Sequence, residues 1–291
     1  MTKHTTLTSR AKVNITLKVL GKRPDGYHEI HSLMQPITLS DEVSLMVEEG
    51  HGVSVTCDHP QVPSDERNLA HRAATLFLTE TGGRWGVSIH IKKLIPVAAG
   101  LGGGSSNAAT VLFGLNELLG ARLGEERLMA MGAQLGSDVP FFILQSPAIA
   151  RGRGELLERI EIPPYWYLLI NPGFEVSAAW AYDNLNLTKG GAAIRISPFN
   201  LNRLREIGAV DGGMEDFLHN DLEEAVLRAH PEIQAMKDLL HSAGARGTLM
   251  SGSGPTVFGL FFNEDKARRA LEVARSGVGS STALFVAQGI A

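Results

Sequence analysis

The chain has 291 residues, which is enough for a buried core and suits one large domain or two medium ones. Its 27 Lys and Arg residues are offset by 31 Asp and Glu residues, so it has no broad basic field for nucleic acid or an anionic membrane, and any phosphate site must be local. The single cysteine, Cys57, excludes an intrachain disulfide and a zinc cluster of cysteines, and no apolar run reaches the ~20 residues of a membrane span.

The first half of the chain begins with a predicted strand at residues 11–20, where apolar and polar residues alternate. A turn follows at residues 23–26, where proline fixes φ and glycine accepts a positive φ. Further runs typical of strands lie at about 37–47, 52–57 and 86–91. Three helical patterns are present. The first lies at about 68–80, the second begins directly after Gly104, and the third lies at about 125–135, where Gly136 stops the helix.

The paired prolines at 163 and 164 interrupt both kinds of regular structure, so we predict a domain boundary there. Beyond it, strands are predicted at about 165–170, 247–250, 256–262 and 282–288, with helices at about 231–243 and 264–275. This order suits a ferredoxin-like layer, with helices on one face of an antiparallel sheet. Residues 190–213 have weak periodicity and are predicted to form an irregular excursion.

The most informative feature of the chain is a glycine-rich segment with four glycines at residues 100–104, directly before a predicted helix. A loop without Cβ atoms lets backbone N–H groups approach an anion, and the helix start adds unpaired donors and a positive dipole end. Ser105, Ser106 and Asn107 are candidate N-cap residues of that helix. The segment is neither a P-loop, which needs a lysine after Gly104, nor a G-x-G-x-x-G loop. The alternative is a tight strand-to-helix turn without a ligand.

Three smaller patterns carry candidate functional residues. Lys12 and Asn14 point to the same side of the first strand, although a solvated strand lysine is the ordinary interpretation. Asp138 precedes Pro140, so it is either a functional carboxylate or the N-cap of a short helix. Residues 251–254 form a second glycine-rich segment, between two predicted strands, which a plain hairpin also explains. The two histidines of residues 28–31 do not match H-E-x-x-H, and we predict no metal site there.

Taken in order, the segments at residues 11–14, 100–106 and 251–254 resemble the three motifs of the GHMP kinase superfamily. The resemblance implies an α+β protein with the two-domain GHMP kinase fold. A ribosomal-protein-S5-like domain over residues 1–162 would bind ATP and carry the catalytic residues. A ferredoxin-like domain over residues 163–291 would bind the substrate.

Within the superfamily, residues 23–29 and 136–140 look like those of kinases that act on a cytidyl-diphosphate methylerythritol in the non-mevalonate pathway to isoprenoid precursors. The resemblance implies transfer of the γ-phosphoryl group of ATP, with Mg²⁺, to the C2 hydroxyl of that substrate. It makes Asp138 the catalytic base and Lys12 its charged neighbour. The metal ligands are unknown, and both Ser105 and Ser106 stay open as candidates.

The same resemblance assigns the binding residues. Those that match the nucleotide side are Asn68, Lys93, Pro96, Val97, Ala98, Ala99, Gly100, Leu101, Gly102, Gly103, Gly104, Ser105 and Ser106. Those that match the substrate side are Asn14, Tyr27, His28 and Tyr182. The two tyrosines would stack on the two faces of the cytosine, and His28 would hydrogen-bond its edge.

Two other functions stay open on the sequence. A kinase of the homoserine or mevalonate type would keep the three motifs but has no need of residues 24–28. A non-catalytic nucleotide sensor would share the fold but has no use for Lys12 together with Asp138. We expect a small-molecule substrate and no obligate protein partner. Because the first ten residues lack the apolar core of a signal peptide, we also expect a cytoplasmic location.

Overall fold

The computed structural model describes residues 2–185 and 213–291. In the first part of the chain the elements are β1 (Lys3–Lys22), β2 (His28–Glu49), β3 (Val53–Cys57), α1 (Leu69–Thr81), β4 (Trp85–Lys92), α2 (Gly103–Leu118), α3 (Glu125–Leu135), α4 (Val139–Leu144), β5 (Ala148–Arg151) and β6 (Leu156–Arg159). The later elements are β7 (Trp166–Asn171), α5 (Ala178–Asp183), a 3₁₀ turn (Met214–Phe217), β8 (His219–Asn220), α6 (Glu223–Ala229), α7 (Glu232–Ser242), β9 (Thr248–Met250), β10 (Val257–Phe261), α8 (Glu264–Gly277) and β11 (Ala283–Gln288).

The chain divides into two compact units that are discontinuous in sequence. Unit 1 comprises residues 1–11, 39–97 and 102–145, and unit 2 comprises residues 12–38, 98–101 and 146–291. The long strands β1 and β2 each contribute to both units. The boundary predicted from the paired prolines, with domains at 1–162 and 163–291, stays a prediction.

Unit 1 is a sheet with helices packed beside it. In this unit β2 pairs antiparallel with β4, from Glu42 opposite Lys92 to Glu49 opposite Trp85, and β3 pairs parallel with β4. Helix α1 packs against α2, and α4 packs against both α2 and α3. The buried face of β4 carries apolar residues at alternate positions, so this sheet surface is a core for the helices. Several candidate site residues of this unit lie at the start of a helix or directly before it.

Unit 2 contains an antiparallel sheet in the order β11-β7-β10-β9. Alternate residues of β7, Leu168 and Ile170, join a core with apolar residues of α7 and α8, such as Leu240 and Ala270. Tyr167 and Leu169, which alternate with them along the strand, are also fully buried. Because both faces of β7 are covered, its sequence is a continuous apolar run rather than an alternating one. The helices and antiparallel strands of this unit are those expected of the predicted ferredoxin-like layer.

Two differences from the predicted elements have a local cause. Strand β1 begins at Lys3 rather than near residue 11. Its first residues were not predicted as strand, because they are mostly polar, are only partly buried and show no apolar alternation. The hairpin of β5 and β6 and the short helices α5 and α6 were not predicted, since segments of four to seven residues give too little periodicity. The excursion predicted at residues 190–213 lies outside the described residues, apart from Gly213.

Candidate active site

The glycine-rich segment has an alternating backbone conformation. Ala98, Gly100 and Gly102 have left-handed φ values of 49°, 75° and 73°, and the residues between them do not. Alternation of this kind turns successive N–H groups toward one point and makes an anion-binding concavity. Among the described residues, no side chain caps α2 and no acidic residue lies in its first turn, so the positive end of the helix is not neutralised there. These features favour phosphate binding over a plain turn.

The predicted N-caps of α2 are wrong. The left-handed Gly102 is the N-cap, so the helix starts at Gly103 and takes Ser105, Ser106 and Asn107 into its first turns. Ser106 and Asn107 are buried, and the Ser106 hydroxyl accepts a hydrogen bond of 2.8 Å from Ser9. The side chains of Ser106 and Asn107 therefore form hydrogen bonds in an interior network rather than at the helix end. The helix begins earlier than predicted because Gly102 can adopt the left-handed conformation that precedes it.

That network holds Lys93 beside the start of α2. The Lys93 ammonium pairs with Asp41, and the two side chains are 5% and 0% exposed. The other Asp41 oxygen accepts the backbone N–H groups of Leu94 and Ile95, both at 2.8 Å. A Cβ placed on Gly103 would lie 2.7 Å from Lys93 Nζ. Lys93 is therefore next to the first residue of α2 and has a carboxylate partner that the sequence did not reveal. Its contact with a nucleotide stays a prediction.

Asn68 has a structural role of its own. Its Oδ1 accepts the backbone N–H of Ala70 at 2.9 Å and caps α1, while its Nδ2 donates to the carbonyl of Pro63 at 2.7 Å. A Cβ on Gly104 would lie 3.8 Å from Leu69 Cδ1, so the start of α1 adjoins the start of α2. The capping hydrogen bond orients the Asn68 side chain near the start of α2. A contact between Asn68 and a nucleotide stays a prediction.

Asp138 immediately precedes α4 but does not cap it. Its side chain makes no capping hydrogen bond, although Pro140 occupies the first turn as expected. A Cβ on Gly136 would lie 3.9 Å from Ser105 Oγ, so the turn that carries Asp138 adjoins the first turn of α2. The structure therefore gives no support to the interpretation of Asp138 as a helix cap. Its role as a functional carboxylate stays a prediction.

In unit 2, Lys12 and Asn14 contact each other, as the strand period predicts. Lys12 Nζ donates to Asn14 Oδ1 and, at 3.0 Å, to the carbonyl oxygen of Gly100. Both side chains are buried. Asn14 Nδ2 donates to Ser32 Oγ at 2.8 Å. Lys12 is thus a buried, oriented cation rather than a solvated strand lysine, and Asn14 positions it.

The second glycine-rich segment packs against these residues. It forms the turn between β9 and β10, as the hairpin interpretation expects. Ser251 Oγ donates to the Gly100 carbonyl at 3.1 Å and accepts the Asn14 backbone N–H at 3.2 Å. A Cβ on Gly252 would lie 3.3 Å from Lys12 Nζ. All three motifs therefore converge around one ammonium group, so the turn is more than a connection between strands.

A buried asparagine holds the second glycine turn and was not predicted. Asn220 Nδ2 donates to the carbonyl oxygens of Met250 and Gly252, at 2.8 and 2.7 Å. Its Oδ1 accepts the backbone N–H of Leu222 at 3.0 Å. A lone asparagine gives no sequence signal for such a role, because its partners lie about thirty positions away along the chain.

Two of the predicted substrate residues, His28 and Tyr182, contact each other in unit 2. His28 stacks on Tyr182, with ring centroids 4.9 Å apart and ring planes 17° apart, and Tyr27 is 52% exposed. Burial, with help from the Lys22 ammonium, lowers the pKa of His28 below its ordinary value of 6.5. The imidazole already covers one face of Tyr182, so a base can stack there only if the imidazole moves or the base uses the other face. The predicted cytosine sandwich stays a prediction.

Comparison with known sequences identifies the family. The GHMP kinases N terminal domain family matches residues 68–146, and the GHMP kinases C terminal family matches residues 199–279. The 4-diphosphocytidyl-2-C-methyl-D-erythritol kinases of Syntrophotalea carbinolica and Geobacter sp. (strain M21) are 51% and 50% identical to the chain, covering 92% and 91% of it and 94% and 92% of their own lengths. The chain belongs to the 4-diphosphocytidyl-2-C-methyl-D-erythritol kinase family. The resemblance inferred from the motifs is confirmed.

Solved structures agree with this family and with the predicted fold class. A crystal structure of a 4-(cytidine 5'-diphospho)-2C-methyl-D-erythritol kinase is 36% identical, with a TM-score of 0.80 over 99% of this chain and 100% of its own. A homoserine kinase from Cytophaga hutchinsonii, 19% identical with a TM-score of 0.74, covers 97% of this chain and 94% of its own. That second likeness shows the fold alone. The two-domain GHMP kinase fold is confirmed, and the chain is an ATP-dependent small-molecule kinase.

Within the described residues, no helix is long and apolar enough to cross a membrane. The cytoplasmic location and the absence of an obligate protein partner stay predictions.

Proposed function

We propose that this chain transfers the γ-phosphoryl group of ATP to the C2 hydroxyl of 4-diphosphocytidyl-2-C-methyl-D-erythritol, a step in the non-mevalonate pathway to isoprenoid precursors. The names of its relatives support the substrate. The observation that carries the chemistry is the convergence of the three motifs around Lys12 Nζ, because a buried ammonium held by Asn14 and Gly100 is built to meet negative charge.

In this reaction Asp138 is the base. It accepts the proton of the C2 hydroxyl as that oxygen forms a bond to the γ-phosphorus and the bond from the γ-phosphorus to the bridging oxygen of ADP breaks. Lys12 supplies positive charge to the transferring phosphoryl group.

The glycine-rich segment is proposed to hold the phosphates of ATP. Its alternating backbone and the uncapped start of α2 fit an anion of this size. Mg²⁺, when bound, would neutralise charge on the phosphate oxygens. Ser105 is the better candidate for its protein hydroxyl ligand, because the Ser106 hydroxyl is buried and engaged by Ser9. Lys93 and Asn68 would adjoin the nucleotide.

The cytidyl group is proposed to bind at Tyr27, His28 and Tyr182. Aromatic rings supply stacking faces for a base. Because its pKa is lowered, His28 is neutral at pH 7 and offers one donor and one acceptor to the edge of the base. This set can distinguish cytosine by hydrogen bonding as well as by stacking.

The test is ATP consumption by the purified full chain with one acceptor at a time. We expect turnover with 4-diphosphocytidyl-2-C-methyl-D-erythritol, and none with homoserine, mevalonate or methylerythritol phosphate that lacks the cytidyl group. Equal turnover of the last compound would contradict the cytidyl site. Turnover of homoserine or mevalonate alone would replace the proposed substrate, and ATP binding without turnover of any acceptor would favour a sensor.

A further inference from the structure

An arginine lies on the face of the exposed tyrosine of the proposed cytidyl site. The guanidinium carbon of Arg153 is 4.7 Å from the centroid of the Tyr27 ring. Arg153 lies in the tight turn between β5 and β6, and its side chain is 26% exposed. In the sequence its turn shows only two glycines around an arginine, which gives no signal of a binding site.

The turn that carries Arg153 is bonded to the segment that carries Tyr27. One Glu29 oxygen accepts the backbone N–H of Gly152 at 3.0 Å, and the other accepts Arg23 Nη1 at 2.6 Å. The Ile30 N–H donates to the Gly152 carbonyl at 2.8 Å. These bonds fix the backbone around Arg153 relative to the start of β2, so the arginine and the tyrosine form one preorganised surface.

The charge of Arg153 is less fully paired than that of its neighbour. Arg151 contacts Glu158 at 3.1 Å, whereas the Arg153 Nε lies 3.8 Å from Glu155 Oε1. The other Glu155 oxygen is taken by the backbone N–H of Arg153, at 2.6 Å. A guanidinium with a loose carboxylate contact and a partly exposed side chain can exchange that contact for a phosphate at small cost.

The substrate residues assigned by family resemblance leave a charge unmatched. Asn14, Tyr27 and Tyr182 carry no positive charge at neutral pH, and burial keeps His28 neutral. The proposed substrate nevertheless carries a diphosphate between its cytidine and its methylerythritol. Arginine suits such a group, because its planar fork of donors matches phosphate oxygens in pairs.

We propose that Arg153 is a substrate-binding residue whose guanidinium binds the diphosphate of the cytidyl-linked substrate, next to the base held by Tyr27. The inference rests on the proposed function and adds a specificity determinant to it. It predicts that the chain distinguishes cytidine from CDP through this one side chain.

The experiment measures binding of cytidine and of CDP to the full chain by calorimetry, in wild type and in Arg153→Ala. We expect CDP affinity to fall about ten- to a hundredfold, the worth of hydrogen bonds to a charged group, while cytidine affinity changes less than about twofold. Arg153→Lys should retain part of the CDP affinity. Arg151→Ala is the matched control and should bind both compounds as wild type does, whereas Tyr27→Ala should weaken both.

Kinetics give a second readout that a purely structural role would not move. In Arg153→Ala the KM for the cytidyl substrate should rise and lose most of its dependence on salt, while the KM for ATP and kcat stay within about threefold. Unchanged CDP affinity, or equal losses for cytidine and CDP, would overturn the proposal, the second by showing that Arg153 only supports the Tyr27 ring. A wild-type chain that binds neither compound and does not turn over the cytidyl substrate would overturn the proposed function with it.

Discussion

Asp138 is the residue on which the proposed chemistry depends most directly. Asp138→Asn is nearly isosteric and removes the proton acceptor, so we expect kcat to fall about 10²- to 10⁴-fold with ATP binding retained. Because asparagine has nearly the same size and shape as aspartate, the variant should remain folded. Steady-state kinetics and a thermal melt on the same preparation check both parts. Activity within about threefold of wild type would leave the carboxylate without a catalytic role.

His31 links the stability of the fold to pH. It is buried, and burial, followed by the charges of Arg151 and Lys18, lowers its pKa below the ordinary 6.5 against an opposing effect of Glu158. The unfolded chain then binds the proton more readily, so the contribution of His31 is complete above pH 6.5 and is lost as the pH falls toward the lowered folded pKa. We expect His31→Gln to reduce the drop in unfolding free energy between pH 7.5 and 5.5, measured by urea denaturation. An unchanged drop would assign the pH dependence to other groups.

At the scale of elements, the start of α2 leaves no room for a side chain at its first residue. A Cβ on Gly103 would lie 2.7 Å from Lys93 Nζ and 3.1 Å from Ile95 Cγ2. Gly103→Ala should displace the loop and weaken ATP binding about tenfold, which corresponds to ~1.4 kcal/mol and lies within the usual cost of overpacking. Gly124→Ala, at the N-cap of α3, is the control, because it lies outside the glycine-rich segment and no atom of the described residues is within 4 Å of a Cβ there. Calorimetry with ATP decides, and equal affinities would separate the phosphate site from Gly103.

A buried ion pair between Asp41 and Lys93 links β2 to the segment that leads to α2. Asp41→Asn leaves the ammonium buried without its counter-charge, and breaking such a pair costs ~3–5 kcal/mol. The double variant Asp41→Asn with Lys93→Met removes both charges and should recover much of that loss. Urea denaturation of the two variants measures the difference. A single variant with wild-type stability would mean that the pair is dispensable.

At the scale of the whole molecule, Gly100 links segments that are far apart in the sequence. Its carbonyl accepts Lys12 and Ser251, and a Cβ on it would overlap the Ser251 carbonyl oxygen. Gly100→Ala should therefore lower the unfolding free energy by ~1–3 kcal/mol beyond the strain of a left-handed alanine. It should also lower kcat, because Lys12 would lose its orientation.

Gly120→Ala isolates the strain term of that experiment. Gly120 has a left-handed φ of 62°, and no atom of the described residues lies within 4 Å of a Cβ placed on it. The Gly120→Ala variant should lose only the ~1–2 kcal/mol of unfolding free energy that a left-handed alanine costs, and it should keep full activity. If the two variants lose the same stability and activity, the contact of Gly100 with Ser251 has no energetic weight.

Local patterns were enough to predict most of the elements and the family. The strand period placed Lys12 and Asn14 on one side because side chains alternate along any strand. The glycine density before an apolar helix predicted an anion-binding loop, which stays a prediction, and three motifs in order indicated the superfamily. The polar start of β1, the short hairpin of β5 and β6, and the caps of α2 were missed or wrong, because they depend on pairing or on a backbone dihedral rather than on composition.

The sequence by itself determined the residue types of the candidate site, their order and the chemistry they can perform. Only the tertiary structure decided which of them meet. The partners of Lys93 and of Asn14 lie 52 and 237 positions away, and Gly100 lies 88 positions from Lys12. No periodicity extends over such distances, because periodicity reflects the geometry of one helix or strand. Contacts between segments arise from the packing of buried faces and from the need to pair every buried polar group.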